Sequence, residues 1–231
     1  MPGATERRGA DVTSLDGTTT LVTGATGQVG WGFAHAAAAA GARLLLTASR
    51  PASAARLTTE FPQAVVVTVD LAADGAGQTI QAAVDDTGGR LDHVFAPIGG
   101  WWQLGPTLDQ PPGELQQLLA TYAVAQHRLV RTAAPFLAHA GGSYTLVTGA
   151  AGMRPIPDAG MLVVAVRAQW GLAEVLRAEL ADAPFRFNEL RISTRIERDA
   201  RPGVVPSRTA GQAFVDLVVG DARSELLHYP S

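Results

Sequence analysis

Cysteine is absent from all 231 residues. That excludes disulfides, thiolate metal sites and a cysteine nucleophile, and it fits a reducing, cytoplasmic setting. Charge is sparse: 17% of residues are charged, the formal net charge is −3, and no basic run occurs. A nucleic-acid partner or an anionic membrane surface is therefore not expected. No apolar stretch approaches the roughly 20 residues needed to span a bilayer. The first segment, residues 1–17, carries Glu6, Arg7, Arg8, Asp11 and Asp16 and lacks an apolar core, so it reads as a polar tail and not a signal peptide. The histidines His35, His93, His127, His139 and His228 stand singly, without ligand spacing, and no metal site is expected. No Pro/Gly/Ser linker divides the remainder, so residues 18–231 are read as one domain. With 47% hydrophobic residues, that domain can bury a full core.

What is present is organised around Thr18 to Gly30, TTTLVTGATGQVG. A β-branched run ends at Gly24, a glycine-rich turn follows, and Trp31 to Ala40 is an alanine-rich helix stopped by Gly41. A strand, tight turn and helix in this order leave several N–H groups unpaired at a helix N-terminus, where a pyrophosphate can sit. Gly24, Gly27 and Gly30 allow the turn, the approach of phosphate and the packing of helix on strand. Thr23, Thr26, Gln28 and Val29 complete this candidate cofactor turn.

Strand and helix signals then alternate. Strands are expected at Arg43 to Ser49, Ala64 to Val69, Leu91 to Ala96, Tyr144 to Thr148, Phe185 to Ile192 and Glu225 to His228. Helices are expected at Ser53 to Phe61, Gln78 to Asp86, Gly113 to His139, Met161 to Ala181 and from Ser207, as cap, to Val219. Pro97 to Pro112 reads as a long loop holding Gly99, Gly100, Trp101 and Trp102. The alternation implies an α/β fold: a Rossmann-type, doubly wound parallel β-sheet flanked by helices, with ligands over the carboxyl ends of the strands.

The order and spacing of TGATGQVG, GARLLLTASR, Asp70-Leu71, LDHVFAPIGG, GSYTLVTGAAG, GLAEVLRAEL and FRFNEL resemble the short-chain dehydrogenase/reductase (SDR) family. The resemblance implies a nucleotide held by the glycine turn, by Ser49 and Arg50 after the second strand, by Asp70 and Leu71 after the third, and by Gly99 after the fourth. Family members that use NAD carry an acidic residue at the end of the second strand, where Ala48 stands here. A hydroxyl and a guanidinium at Ser49 and Arg50 suit a 2′-phosphate, which favours NADP(H), Arg50 as a solvated flanking charge being the alternative. Standard members use a Tyr and Lys four residues apart, a Ser after the fifth strand and an Asn in the preceding long helix. The matching positions here are Leu162, Val166, Gly149 and Tyr122, and Ala96-Pro97-Ile98-Gly99 replaces Asn-Asn-Ala-Gly. The chain is therefore expected to be an atypical member lacking the Ser-Tyr-Lys set.

Candidate catalytic groups are Tyr122 and Thr148; candidate substrate contacts are Trp101, Trp102 and Arg154. The expected function is transformation of a small, largely apolar molecule in biosynthesis, by analogy with relatives, as a non-redox cyclisation, isomerisation or dehydration. A reductase drawing its proton from Tyr122 or the substrate, and an inactive nucleotide-binding sensor, remain open, as does absence of the nucleotide. The two long helices correspond to those through which family members associate, so a homodimer or homotetramer is expected.

Overall fold

The computed structural model describes residues 14–139 and 141–230. Among these described residues nine strands and seven α-helices follow in the order β1 Thr19–Val22, α1 Gln28–Ala39, β2 Arg43–Ala48, α2 Pro51–Glu60, β3 Val65–Thr68, α3 Ala76–Asp86, β4 His93–Pro97, α4 Pro112–Leu119, α5 Ala125–Ala133, β5 Ser143–Gly149, α6 Gly160–Glu179, β6 Arg186–Ile192, β7 Ile196–Glu197, β8 Val205–Pro206, α7 Ser207–Val219 and β9 Leu226–Tyr229. Seven strands form one sheet in the order β3-β2-β1-β4-β5-β6-β9. Every pairing in it is parallel. The order turns back between β1 and β4, the switch point where open α/β sheets hold ligands.

The apolar runs behave as strands because helices cover both faces of the sheet. On one face α1 and α7 close over Phe33, Phe95 and Phe214, whose rings stack at 4.0 and 5.5 Å between centroids. On the other, α3, α5 and α6 cover Leu45, Val94, Leu146 and Phe187. Each such fully buried Leu or Phe contributes ~1.5–3 kcal/mol over its exposed state. A smaller cluster of Leu118, Tyr122, Ala159, Leu162, Ala165 and Val166 joins α4 to α6 beside the carboxyl ends of the strands. Helices α1 and α7 approach so closely that a Cβ on Gly32 would lie 2.0 Å from the Ser207 carbonyl oxygen, and one on Gly211 2.1 Å from that of Gly32.

Three sequence expectations gain detail here. The helix expected from Gly113 to His139 runs helical without a break from Pro112 to Leu137, α4 and α5 being joined by a π turn at Ala120–Val124 and followed by a 3-10 turn at Ala134–Leu137. The cap of α7 is Pro206, and Ser207 is the first helical residue with its hydroxyl buried and unpaired. Of the expected polar tail, residues 1–13 lie outside the described residues. Leu15, assigned to it, is 1% exposed and donates its N–H to the Ala40 carbonyl at 2.7 Å, so the fold includes the end of that segment.

Candidate active site

A cleft of about 1060 Å³ runs across the carboxyl ends of β1, β2, β4, β5 and β6. Its wall contains Gly24, Thr26, Gly27, Gln28, Val29 and Gly30 from the first turn, Ser49, Asp70 and Leu71 beside it, and Gly99, Trp101, Tyr122 and Thr148 at the other end. The glycine turn is built by close contact. Gly24 sits at φ +58°, and a Cβ there would meet the Pro97 carbonyl oxygen at 2.5 Å. A Cβ on Gly30 would meet the Gly24 carbonyl oxygen at the same distance. The N-cap of α1 is Gly27, which supplies no side chain to the first-turn N–H groups. Those donors, at the positive end of a 12-residue helix, suit a phosphate, and the residues present fit the dinucleotide that the glycine pattern implies.

Four expected contacts fall outside the wall. Thr23 lies behind the turn, fully buried, with its N–H on the Phe95 carbonyl at 3.1 Å. Arg50 is exposed at the N-cap of α2, next to Ser49 but not in the cleft. Arg154 is exposed after the short turn Ala150–Met153. Trp102 is 45% exposed and turns its indole N–H onto the Tyr122 hydroxyl. The sequence placed these four by neighbourhood along the chain, whereas a loop or helix start turns alternate side chains away from the strand ends.

The Tyr122 ring is 3% exposed and its hydroxyl is fully engaged. It accepts from the Gly100 N–H at 2.8 Å and donates to the Gly100 carbonyl. Burial pushes its pKa up to about 12, against opposing hydrogen bonds from Gly100 and Trp102. Gly99, at φ +136°, lies so close to this ring that a Cβ would meet it at 2.6 Å. Tyr122 therefore pins the loop after β4. It stands in the π turn Ala120–Val124, within the helical stretch that faces the loop after β4.

Thr148, 4% exposed at the end of β5, donates its hydroxyl to Glu189 Oε1 at 2.9 Å. The wall also contains residues that the sequence did not single out: Thr121, Gln169 and the strap Ser193, Thr194, Arg195 and Ile196. The strap follows the sixth strand, so the rule that ligands lie over strand ends was the signal for it. Gln169, 1% exposed, donates to the Ile98 carbonyl at 3.0 Å, and the Arg198 guanidinium donates to the Thr26 carbonyl at 3.4 Å. The loop carrying Trp101 is tied down where Leu104 and Gly105 both donate to the Asp158 carbonyl at 3.0 Å. Trp101, 61% exposed, and Met153, 65% exposed, leave an apolar rim. Among the described residues no group of three or more His, Cys, Asp or Glu is placed to hold a metal ion, and no helix is long and apolar enough to cross a membrane.

A family model described as enoyl-(acyl carrier protein) reductase matches residues 24–196. No curated protein sequence matches the chain. Among solved structures, a short-chain dehydrogenase from Salmonella enterica subsp. enterica serovar Typhi str. CT18 superposes with TM-score 0.82 at 20% identity, over 97% of this chain and 100% of that one. An enoyl-[acyl-carrier-protein] reductase (NADH) from Aquifex aeolicus VF5 gives 0.80 at 18% identity, over 93% and 95%. A dehydrogenase/reductase from Sinorhizobium meliloti 1021 gives 0.79 at 20%, over 94% and 95%. At these identities the structural likeness speaks to the fold alone. The matched model spans the glycine turn, the cleft ends of β2, β4, β5 and β6 and the strap, and the chain belongs to the short-chain dehydrogenase/reductase family.

Proposed function

We propose that this chain is a nucleotide-binding enzyme that acts on a small, largely apolar molecule without the Ser-Tyr-Lys reductase chemistry of standard relatives. The observation that carries this is the composition of the cleft floor. Gly149 and Val166 line it and Leu162 is buried behind it, so the three matched positions offer no acid, no hydroxyl and no ammonium. Lysine is absent from the whole sequence, all 18 basic residues being arginine, so no shift of alignment restores one. Ser143 and Tyr144, the serine and tyrosine adjoining β5, lie at its amino end, opposite the cleft. Ser143 bonds His93 at 2.8 Å, and Tyr144 is fully buried on Phe187 with ring centroids 5.4 Å apart.

Support for NADP(H) over NAD comes from Ser49 in the wall, Ala48 in place of a carboxylate at the end of β2, and Arg50 beside them, whose long side chain can swing toward a 2′-phosphate. The α1 N-terminus would hold the pyrophosphate, and Ser49, Asp70 and Leu71 the adenosine end. When bound, the nucleotide supplies a transferable hydride. Hydride delivery to a carbonyl leaves an alkoxide that needs a positioned donor, and losing donor and acid together costs several powers of ten in rate. What remains suited to this floor is chemistry driven by holding one conformation and excluding water, such as cyclisation, isomerisation or dehydration. Trp101 and the Tyr122-pinned loop supply the apolar wall for that role.

The test is a titration of tryptophan fluorescence with NADPH and NADH, paired with an assay of NADPH consumption against aromatic and aliphatic ketones. Tighter binding of NADPH, weakened by Arg50→Ala, with no ketone-dependent consumption is expected. Ketone reduction that Tyr122→Phe abolishes would establish the reductase instead.

A further inference from the structure

Glu189 stands in the middle of β6, with no solvent exposure, on the sheet face that Phe187 also occupies. Three donors converge on its Oε1: the Thr148 hydroxyl at 2.9 Å, Arg191 Nη2 at 2.7 Å and Arg191 Nε at 3.2 Å. Its Oε2 accepts no hydrogen bond and faces Arg177 Nη2 at 3.9 Å. The Arg191 guanidinium is fixed from behind by stacking 3.8 Å from the centre of the Trp170 ring. Gly152 in turn lies close enough to Trp170 that a Cβ would meet it at 2.9 Å. Burying a carboxylate between two guanidiniums is a poor way to gain stability, because desolvation offsets most of the attraction. The group's connection to the cleft gives it another use.

A threonine hydroxyl has one proton and two lone pairs. Thr148 spends its proton on Glu189, so only lone pairs remain for whatever lies in the cleft. Next to it Gly149 leaves open space, with no atom within 4 Å of where a Cβ would stand. Thr148 itself is part of the cleft wall, so a ligand at the strand ends lies beside it.

We propose that Glu189 is a positioning residue which, by taking the Thr148 proton, turns the cleft floor into an acceptor, so that the bound molecule presents a hydroxyl or N–H to Thr148 Oγ1. A bare carbonyl meets lone pairs there and is rejected. This deepens the functional reading above by naming the substrate class as flat, apolar and hydroxylated or amino-bearing.

The test uses the full chain and three fluorescence-quenching probes of one shape: 2-naphthol, its methyl ether 2-methoxynaphthalene, and the ketone 2-acetonaphthone. One hydrogen bond in a partly dry site should make 2-naphthol bind about fivefold to tenfold tighter than the ether. Thr148→Val abolishes that preference and Thr148→Ser retains it. Glu189→Leu frees the Thr148 proton, so the preference shifts toward 2-acetonaphthone, a reversal that loss of packing alone would not produce. Thermal melts identify a Glu189→Leu chain that fails to fold, in which case the Thr148 pair decides. Equal affinity for naphthol and ether, no binding of 2-naphthol at its solubility limit, or a naphthol preference that survives Thr148→Val would overturn the proposal. Titrations run with and without NADPH separate the two ideas: absent NADPH binding refutes the nucleotide reading while the naphthol preference stands or falls by itself.

Discussion

Replacing Gly30 by alanine would put a methyl carbon 2.5 Å from the Gly24 carbonyl oxygen, 2.7 Å from the Gly24 carbonyl carbon and 2.9 Å from the Thr23 carbonyl oxygen. All three atoms belong to the backbone of the turn between β1 and α1, so no rotamer change can relieve the contact. Overfilling a packed interior costs ~1–3 kcal/mol, and a purely backbone clash belongs at the upper end. For a chain of this size each kcal/mol lowers Tm by ~2–4 °C, so the expected fall is about 6–12 °C. The helix must also move away from the turn, displacing the uncapped N–H groups at its start. NADPH affinity should then drop at least about tenfold, equivalent to ~1.4 kcal/mol. Circular-dichroism melts and fluorescence titration measure the two effects. Gly171→Ala is the control: its Cβ would meet nothing within 4 Å, and the change should stabilise α6 by ~0.5–1 kcal/mol. A Gly30→Ala chain that melts within about 2 °C of the parent and binds NADPH as well would refute the role given to this contact.

Burial, aided by the nearby charges of Arg186 and His139 and opposed by Asp92, lowers the His93 pKa from 6.5 to about 4. The unfolded chain thus takes up a proton below pH 6.5 that the folded chain refuses until about pH 4. Stability is full above the upper value and declines toward the lower, by about 3 kcal/mol in total. Urea midpoints across that window should show the decline, and an unaltered decline in His93→Gln would assign it elsewhere. Tyr122→Phe leaves both polar groups of Gly100 without their phenol partner, which should cost ~1–3 kcal/mol and raise protease cleavage between Gly99 and Gly105; unchanged melting and cleavage would refute the latch. Val164 and Val175, 47% and 52% exposed on one face of α6, suit a second copy of the chain. Sedimentation should then show a species of at least twice 24.0 kDa, and a monomer at micromolar concentration would remove self-association.

Local sequence was enough to determine the element order, the glycine turn and the absence of any lysine for proton work. Apolar runs and turn residues act within a few positions of themselves, and an amino acid that never occurs cannot be supplied by folding. The cleft's position followed too, because alternating strands and helices force a parallel sheet with its loops gathered at the strand ends. Tertiary structure alone decided which side chains turn into that cleft. Glu189 and Arg191 alternate along one strand, and they become a buried group holding Thr148 only through the register of β5 on β6, which sets Leu146 beside Glu189 and Thr148 beside Arg191. Tyr122 read as a candidate acid until the π turn and the loop after β4 placed its hydroxyl on Gly100. Ser193 to Ile196 entered the wall while Arg50, Trp102 and Arg154 left it. Periodicity records whether a residue is buried, but its partner, 41 residues away for Thr148 and Glu189, is fixed by strand pairing and carries no mark in the neighbouring sequence.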